Sequence, residues 1–296
     1  MKTIIRSIGS FFIPLLFSLS LQAVEQKIIF LISPPRSLSV AFLRMMDQRG
    51  DFAILHEPGI PAFNVIYNPM FASTAYRSNA LFTFREVHDQ IAQTAENSPV
   101  FVKEMGFAAC EYLPQMSDLL SNPEAYFVFL VRNPHHSLIS HYNKYPVLHA
   151  FLHKVLSYKE LYYLYREIQS RSVNPPMILL TEDLYTDPRK TVQCFCDAVK
   201  IPFKEESLYW DDLGDQFSAQ NEWKDVKHKD KVQHWHREAI RSTGFGLPTT
   251  TYAVDHENRP TFEEIKNLEH RTAYQRIYDE NMPYYRLLVE ANRLNN

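Results

Sequence analysis

The sequence predicts an α/β protein, a parallel sheet with helices on both faces in a three-layer arrangement. Three observations predict it. Apolar runs of strand length recur at Ile28 to Ile32, Phe52 to His56, Val100 to Lys103, Ala125 to Val131 and Met177 to Leu180. The first and fourth are unbroken rather than alternating, which suits strands buried on both faces. Helical patterns separate the runs and no hairpin signal does, so successive strands must be joined by crossovers.

The chain opens with Lys2 and Arg6 ahead of an apolar run from Ile8 to Leu21, with Gln22-Ala23 offering a small residue for cleavage. This pattern predicts that residues 1–23 are a secretory signal peptide, with a short membrane anchor as the alternative. The protein is accordingly expected to be exported or secreted, touching a membrane only through this segment if it is not cleaved. Residues 24–296 are expected to form one domain.

After the first strand come Pro34-Pro35-Arg36-Ser37-Leu38-Ser39, and then Val40, Leu43 and Met46 at helical spacing. Ser37 or Ser39 is placed to cap that helix. Amide groups at a helix start, with the guanidinium of Arg36, suit an anion such as phosphate. The second strand delivers His56 and Glu57 to its C-terminal tip, where function gathers in parallel sheets. Residues 60–84 carry Phe63, Tyr67, Phe71, Tyr76, Phe82 and Phe84, a lid, an acceptor surface or core packing.

Helices are predicted over 84–95 and 111–120, flanking a third strand that ends at Glu104. The fourth strand runs into Arg132-Asn133-Pro134, with Asn133 placed to cap and Pro134 at the first helical position. Ser140 follows Arg132 by eight positions, so a strand-end cation and a hydroxyl about two turns into the helix can bracket one anion. Tyr158 to Ser172 reads as an amphipathic helix. Beyond the fifth strand, Asp187-Pro188 opens a helix running to about Val199. Lys224 to Lys231 reads as a solvated charge run. Arg241-Ser242-Thr243-Gly244 is a further cationic turn suited to phosphate, and helices are predicted from Phe262 and over 272–293.

Composition narrows the function. A formal net charge of −3 gives no chain-wide basic field for nucleic acid, so anion binding must be local. Three cysteines do not form a disulfide framework. The histidines His149 and His153, and His234 and His236, lack the companions of a metal site, and no metal is expected. The Walker pattern of glycines followed by Lys and Ser or Thr is absent, as is a Gly-X-Ser-X-Gly elbow.

Three stretches together resemble the sulfotransferases that use 3′-phosphoadenosine 5′-phosphosulfate, whose fold is related to that of the P-loop nucleoside triphosphatases. Pro35-Arg36-Ser37-Leu38-Ser39 is similar to the family's 5′-phosphosulfate loop. Arg132-Asn133-Pro134 with Ser140 is similar to its 3′-phosphate site. Glu182-Asp183-Leu184, Asp187-Pro188 and Ile201-Pro202-Phe203 repeat a third family pattern in order. The resemblance implies a P-loop-like sulfotransferase fold and this donor as co-substrate. Arg36, Ser37, Leu38 and Ser39 would hold its 5′ end, and Arg132 and Ser140 its 3′-phosphate. Arg241, Ser242, Thr243 and Gly244 match the family's last 3′-phosphate loop only loosely. Leu38 departs from the pattern, standing where the family generally has glycine; an L-residue is expected there in ordinary dihedral angles, reshaping the loop.

Sulfuryl transfer needs a clamp on the donor, positive charge at the leaving group and a base. Arg36 supplies charge. Glu57 is the leading base, 21 positions after Arg36, an interval comparable to that in the tyrosylprotein and heparan-type branches. Glu104 follows Lys103 where the small-molecule branch has Lys-X-His, with Met105 in place of the His. His56, adjacent to Glu57 on a strand, is expected to face the opposite way. The acceptor, a small molecule, a glycan or a protein side chain, is not readable. A nucleotide phosphotransferase on the same fold and a non-catalytic secreted protein are the alternatives.

Overall fold

The structure, a computed structural model, describes residues 26–147, 152–212, 236–246, 252–255, 257 and 259–295. The apolar leader, the charge run at 224–231, His149 and His234 lie outside the described residues. Five strands form one sheet in the order β2-β3-β1-β4-β5: β1 (Ile28–Ser33), β2 (Ala53–His56), β3 (Val100–Met105), β4 (Ala125–Val131) and β5 (Met177–Leu180). Every pairing is parallel.

Strand period explains the layers. Ile28, Phe30 and Ile32 face one core with Val100, Val102, Phe127 and Phe129, whereas Ile29 and Leu31 face the other with Phe101, Val128 and Leu130. Phe30 stacks on Phe127 at 5.3 Å between ring centroids. The first core is closed by α4 (Phe84–Ala95), α5 (Gly106–Tyr112), α9 (Tyr158–Arg171) and the C-terminal helix Leu268–Asn295. The second is closed by α1 (Ser39–Arg49) and α11 (Pro188–Ala198), with Phe42 edge-on to Phe195 at 4.9 Å. Full burial of each such phenylalanine stabilises the fold by about 2–3 kcal/mol.

Caps set several boundaries where the sequence places them. The Thr83 hydroxyl and Glu86 carboxylate form a reciprocal capping box on α4. The Asn133 side chain accepts from the His135 amide at the start of α7 (Pro134–Lys144), and that of Asp187 accepts from Lys190 on α11. Residues 60–75 form two short helices, α2 (Ile60–Tyr67) and α3 (Pro69–Ala75), and two more, α8 (Leu152–Val155) and α10 (Thr181–Thr186), precede α9 and α11.

Three local expectations are corrected. The helix expected over 111–120 is broken, because α5 ends at Tyr112, a tight turn spans Leu113–Gln115 with Pro114 inside it, and α6 (Ser117–Leu120) follows. Phe262 does not begin a helix: its φ is 51°, its ring is buried, and the last helix starts at Leu268. Neither Ser37 nor Ser39 caps α1. Leu38 holds the N-cap position without a side-chain hydrogen bond, and the Ser37 hydroxyl instead donates to the Pro34 carbonyl at 2.9 Å.

The topology fixes where a ligand is received. The chain leaving β1 runs to β2 at one side of the sheet, while the chain leaving the adjacent β3 runs to β4 on the other. Ligands bind at such a switch point, outside the C-terminal strand ends. Arg36, Glu57, Lys103, Arg132 and Thr181 all lie at that edge.

Candidate functional site

The loop after β1 turns left-handed twice. Arg36 has φ 63° and Leu38 φ 62° with ψ 10°. Leucine therefore takes the glycine-like conformation itself, contrary to the expectation of ordinary dihedral angles and a reshaped loop. That conformation costs a non-glycine residue about 1–2 kcal/mol. Packing of the Leu38 side chain against the Phe42 and Phe195 core offsets part of it. The loop is also tied from outside, since the Thr181 hydroxyl donates to the Ser37 carbonyl at 3.0 Å. Ser37 is fully buried, and its hydroxyl is used within the loop. Ser39, also buried, is the first residue of α1.

Two arginines meet here. Arg132, at the end of β4, donates Nη1 to the Arg36 carbonyl at 2.6 Å and Nη2 to the Tyr252 hydroxyl at 2.7 Å. Its Nε is buried with no hydrogen-bond partner among the described residues. The Tyr158 hydroxyl fixes the turn by donating to the Arg132 carbonyl at 2.5 Å. Tyr252 also stacks on His136, 3.8 Å between centroids. Arg36 donates Nε to the Ser140 hydroxyl at 3.0 Å. Arg36, Arg132 and Ser140 thus share one junction, although Ser140 touches the cation of the first loop rather than Arg132. Burial lowers the pKa of the Arg36 guanidinium; Glu238 opposes that shift and Arg132 adds to it.

Beside this junction stands a second cluster. Glu57 leaves β2 with φ 55°, and its amide donates to the Lys103 carbonyl at 2.7 Å. The buried Lys103 ammonium forms a short ion pair with Glu57 Oε1 and lies 3.2 Å from Met105 Sδ. Because Glu57 breaks strand alternation, His56 does not face away: His56 Nε2 is 3.6 Å from Glu57 Oε1. Burial, reinforced by Lys103, holds the His56 imidazole well below its ordinary pKa.

Glu104 has a different use. Its side chain accepts from the Gly59 amide at 2.7 Å, the Met105 amide at 2.8 Å and the Tyr112 hydroxyl at 3.2 Å. Complete burial raises its pKa to about 8, against the pull of those two amides. It braces the Glu57–Gly59 turn from inside.

Residues 236–240 also reach this cluster, which the sequence does not announce. The His236 ring lies 6.1 Å from that of His56, and burial lowers its pKa well below the usual value, with Glu57 opposing and His56, Lys103 and Arg36 adding. Glu238 pairs with Arg36 at 3.5 Å and with Lys144 of α7. No local pattern signals these contacts, since His236 is 180 positions from His56. The Arg241–Gly244 turn is engaged with α1. Arg44 donates to the carbonyls of Ala239 at 2.7 Å, Ile240 at 2.6 Å and Ser242 at 3.0 Å, and Trp210 Nε1 donates to the Ser242 hydroxyl at 3.2 Å. Arg241 and Thr243 are exposed, and Gly244 lies against Leu208.

The aromatics of α2 pack rather than stand open. Phe63 meets Phe107 at 4.7 Å, and Lys154 lies 3.2 Å from the centre of the Tyr67 ring. A cavity of about 360 Å³ adjoins Phe107 and Lys154 and is lined by none of the junction residues.

The molecule is thus an α/β protein whose parallel sheet gathers two arginines and a lysine–glutamate pair at its C-terminal edge. The chain belongs to the sulfotransferase family: the family described as the sulfotransferase domain matches residues 26–259. Among curated proteins, the branched-chain-amino-acid aminotransferase-like protein 2 of Arabidopsis thaliana is 27% identical over 221 residues, covering 73% of this chain and 36% of that protein. The matching chain thus spans little more than a third of that relative. Among solved structures, a mouse sulfotransferase complexed with PAP aligns over 91% of this chain and 92% of its own, at 12% identity and TM-score 0.45. A sulfotransferase from Alicyclobacillus acidocaldarius aligns over 73% and 96%, at 14% identity and TM-score 0.44.

Proposed function

We propose that this protein transfers a sulfuryl group from 3′-phosphoadenosine 5′-phosphosulfate to an acceptor hydroxyl or amine. The observation that carries the reading is the Arg36–Arg132 junction, in which Arg132 keeps a buried Nε donor without a partner among the described residues. A buried guanidinium donor left unmade is costly, and an anionic ligand supplies what is missing. The left-handed Leu38 adds support, since it brings the start of α1 to this junction in the conformation glycine would give.

The donor brings the sulfuryl group and its leaving phosphate; every other part of the chemistry falls to this chain. Arg36 and the amides of residues 37–39 hold the 5′ end and stabilise charge on the departing oxygen. Arg132 and Ser140 hold the 3′-phosphate. Glu57 accepts the acceptor's proton, and the Lys103 ammonium holds that carboxylate in place. In this reading the Arg241–Gly244 turn is a further candidate for the 3′-phosphate, and the bonds from Arg44 and Trp210 to Ser242 fix it against α1. In the same proposal the N-terminal leader exports the protein or anchors it to a membrane, and the acceptor is a small molecule, a glycan or a protein side chain.

The test is calorimetric and enzymatic. Adenosine 3′,5′-bisphosphate should bind without added metal, and ATP with Mg²⁺ should bind at least tenfold more weakly. Transfer from labelled donor to a panel of phenols, glycans and tyrosine peptides should fall by about 10² or more in Glu57→Gln. Preferential, Mg²⁺-dependent ATP binding would overturn the donor; undiminished transfer by Glu57→Gln would overturn the base.

A further inference from the structure

Ser140 and Lys144 are one turn apart and share a face of α7. Ser140 accepts from Arg36, and Glu238 bridges Arg36 to Lys144: its Oε2 is 3.5 Å from Arg36 Nη2 and its Oε1 pairs with the Lys144 ammonium. Burial across this bridge is unequal. The Lys144 and Arg36 side chains are 14% and 18% exposed, whereas that of Glu238 is 64% exposed. Two largely desolvated cations, with Arg132 hydrogen-bonded to the Arg36 backbone behind them, are therefore spanned by one carboxylate that reaches in from solvent. Glu182, also near this junction, is occupied elsewhere, accepting from the Asn133 amide at 3.0 Å and standing 3.5 Å from His136.

This exposed carboxylate pairs with the two cations from the solvent side. A phosphate or sulfate dianion offers more acceptor oxygens and twice the charge, so it competes with advantage for the same cations. We infer that Lys144 is a direct ligand for an anionic group of the donor, in a seat with Arg36 and Ser140 that Glu238 spans as a tethered competitor. Occupation of the seat by a dianion releases Glu238 to solvent. This inference rests on the donor reading above, which assigns no role to either residue.

The experiment uses two probes on the full chain, adenosine 3′,5′-bisphosphate by calorimetry and inorganic sulfate by its effect on thermal unfolding. Lys144→Met should weaken bisphosphate binding tenfold or more and diminish the stabilisation by sulfate. Lys144→Arg, which keeps the charge, should restore both. Glu238→Gln should tighten bisphosphate binding threefold or more and enlarge the sulfate response. If Lys144→Met matches wild type within twofold for both probes, or Glu238→Gln binds more weakly, the seat is refuted. A sulfate response that follows this pattern without any bisphosphate affinity would refute the donor and leave the seat standing. Bisphosphate binding indifferent to Lys144 would do the reverse.

Discussion

Replacing Leu38 tests whether this chain has kept the phosphate-loop geometry without its glycine. Leu38 sits at φ 62°, ψ 10° and packs partly against the Phe42 core. Changing it to glycine relieves about 1–2 kcal/mol of left-handed strain. The same change raises the freedom of the unfolded chain, costing about 0.4–1 kcal/mol, and forfeits roughly 1 kcal/mol of partial side-chain burial. These terms nearly cancel, so Leu38→Gly should move stability by no more than about 1 kcal/mol. Leu38→Val is the contrasting variant, because a β-branched residue at positive φ is a true outlier and should cost about 1–3 kcal/mol. Urea unfolding measures both as midpoint shifts at constant slope. Affinity for adenosine 3′,5′-bisphosphate should change less than about threefold in Leu38→Gly and fall about tenfold or more in Leu38→Val, a loss of about 1.4 kcal/mol. A tenfold gain in Leu38→Gly would show that the leucine side chain obstructs the site. A valine variant as stable as wild type would show that the left-handed turn is not required.

Two further outcomes concern the brace beneath Glu57. The raised pKa of Glu104, about 8 against an ordinary 4.5, means that the native state retains a proton the unfolded chain gives up. Its contribution to stability is whole below about pH 4.5 and is lost as pH rises through about 8, at up to about 1.4 kcal/mol per pH unit. Glu104→Gln should flatten that decline in denaturation midpoints between pH 5 and 8, and an unchanged slope would contradict the assignment. Gly59→Ala places a Cβ 2.7 Å from Glu104 Oε2 and 2.8 Å from the Tyr112 ring. It should destabilise the protein by about 1–3 kcal/mol, and double-mutant analysis with Glu104→Gln should show coupling between the two sites.

The scaffold was legible where local physics decides it. Unbroken apolar runs gave β1 and β4, and the Asn133 and Asp187 caps with their following prolines set the starts of α7 and α11. Strand ends also located Arg36, Glu57 and Arg132 at one edge, because a parallel sheet gathers its C-terminal tips together. What escaped the sequence was decided by tertiary contact. Arg36, Leu38 and Glu57 all adopt positive φ without glycine, and no propensity announces a conformation that the surrounding structure imposes. The turn at Glu57 in turn brought His56 onto the side from which strand alternation would exclude it. His236 and Glu238 reach the site from a segment whose local pattern shows nothing but mixed charge.

Calorimetric titration of adenosine 3′,5′-bisphosphate into wild type and Arg132→Ala decides whether this junction holds the donor. Arg132 organises the junction through the Arg36 carbonyl, and its buried Nε has no hydrogen-bond partner among the described residues. Wild type should bind the bisphosphate, and Arg132→Ala should lose at least about 2 kcal/mol, roughly thirtyfold, while remaining folded. Equal affinity in the two proteins would contradict the account.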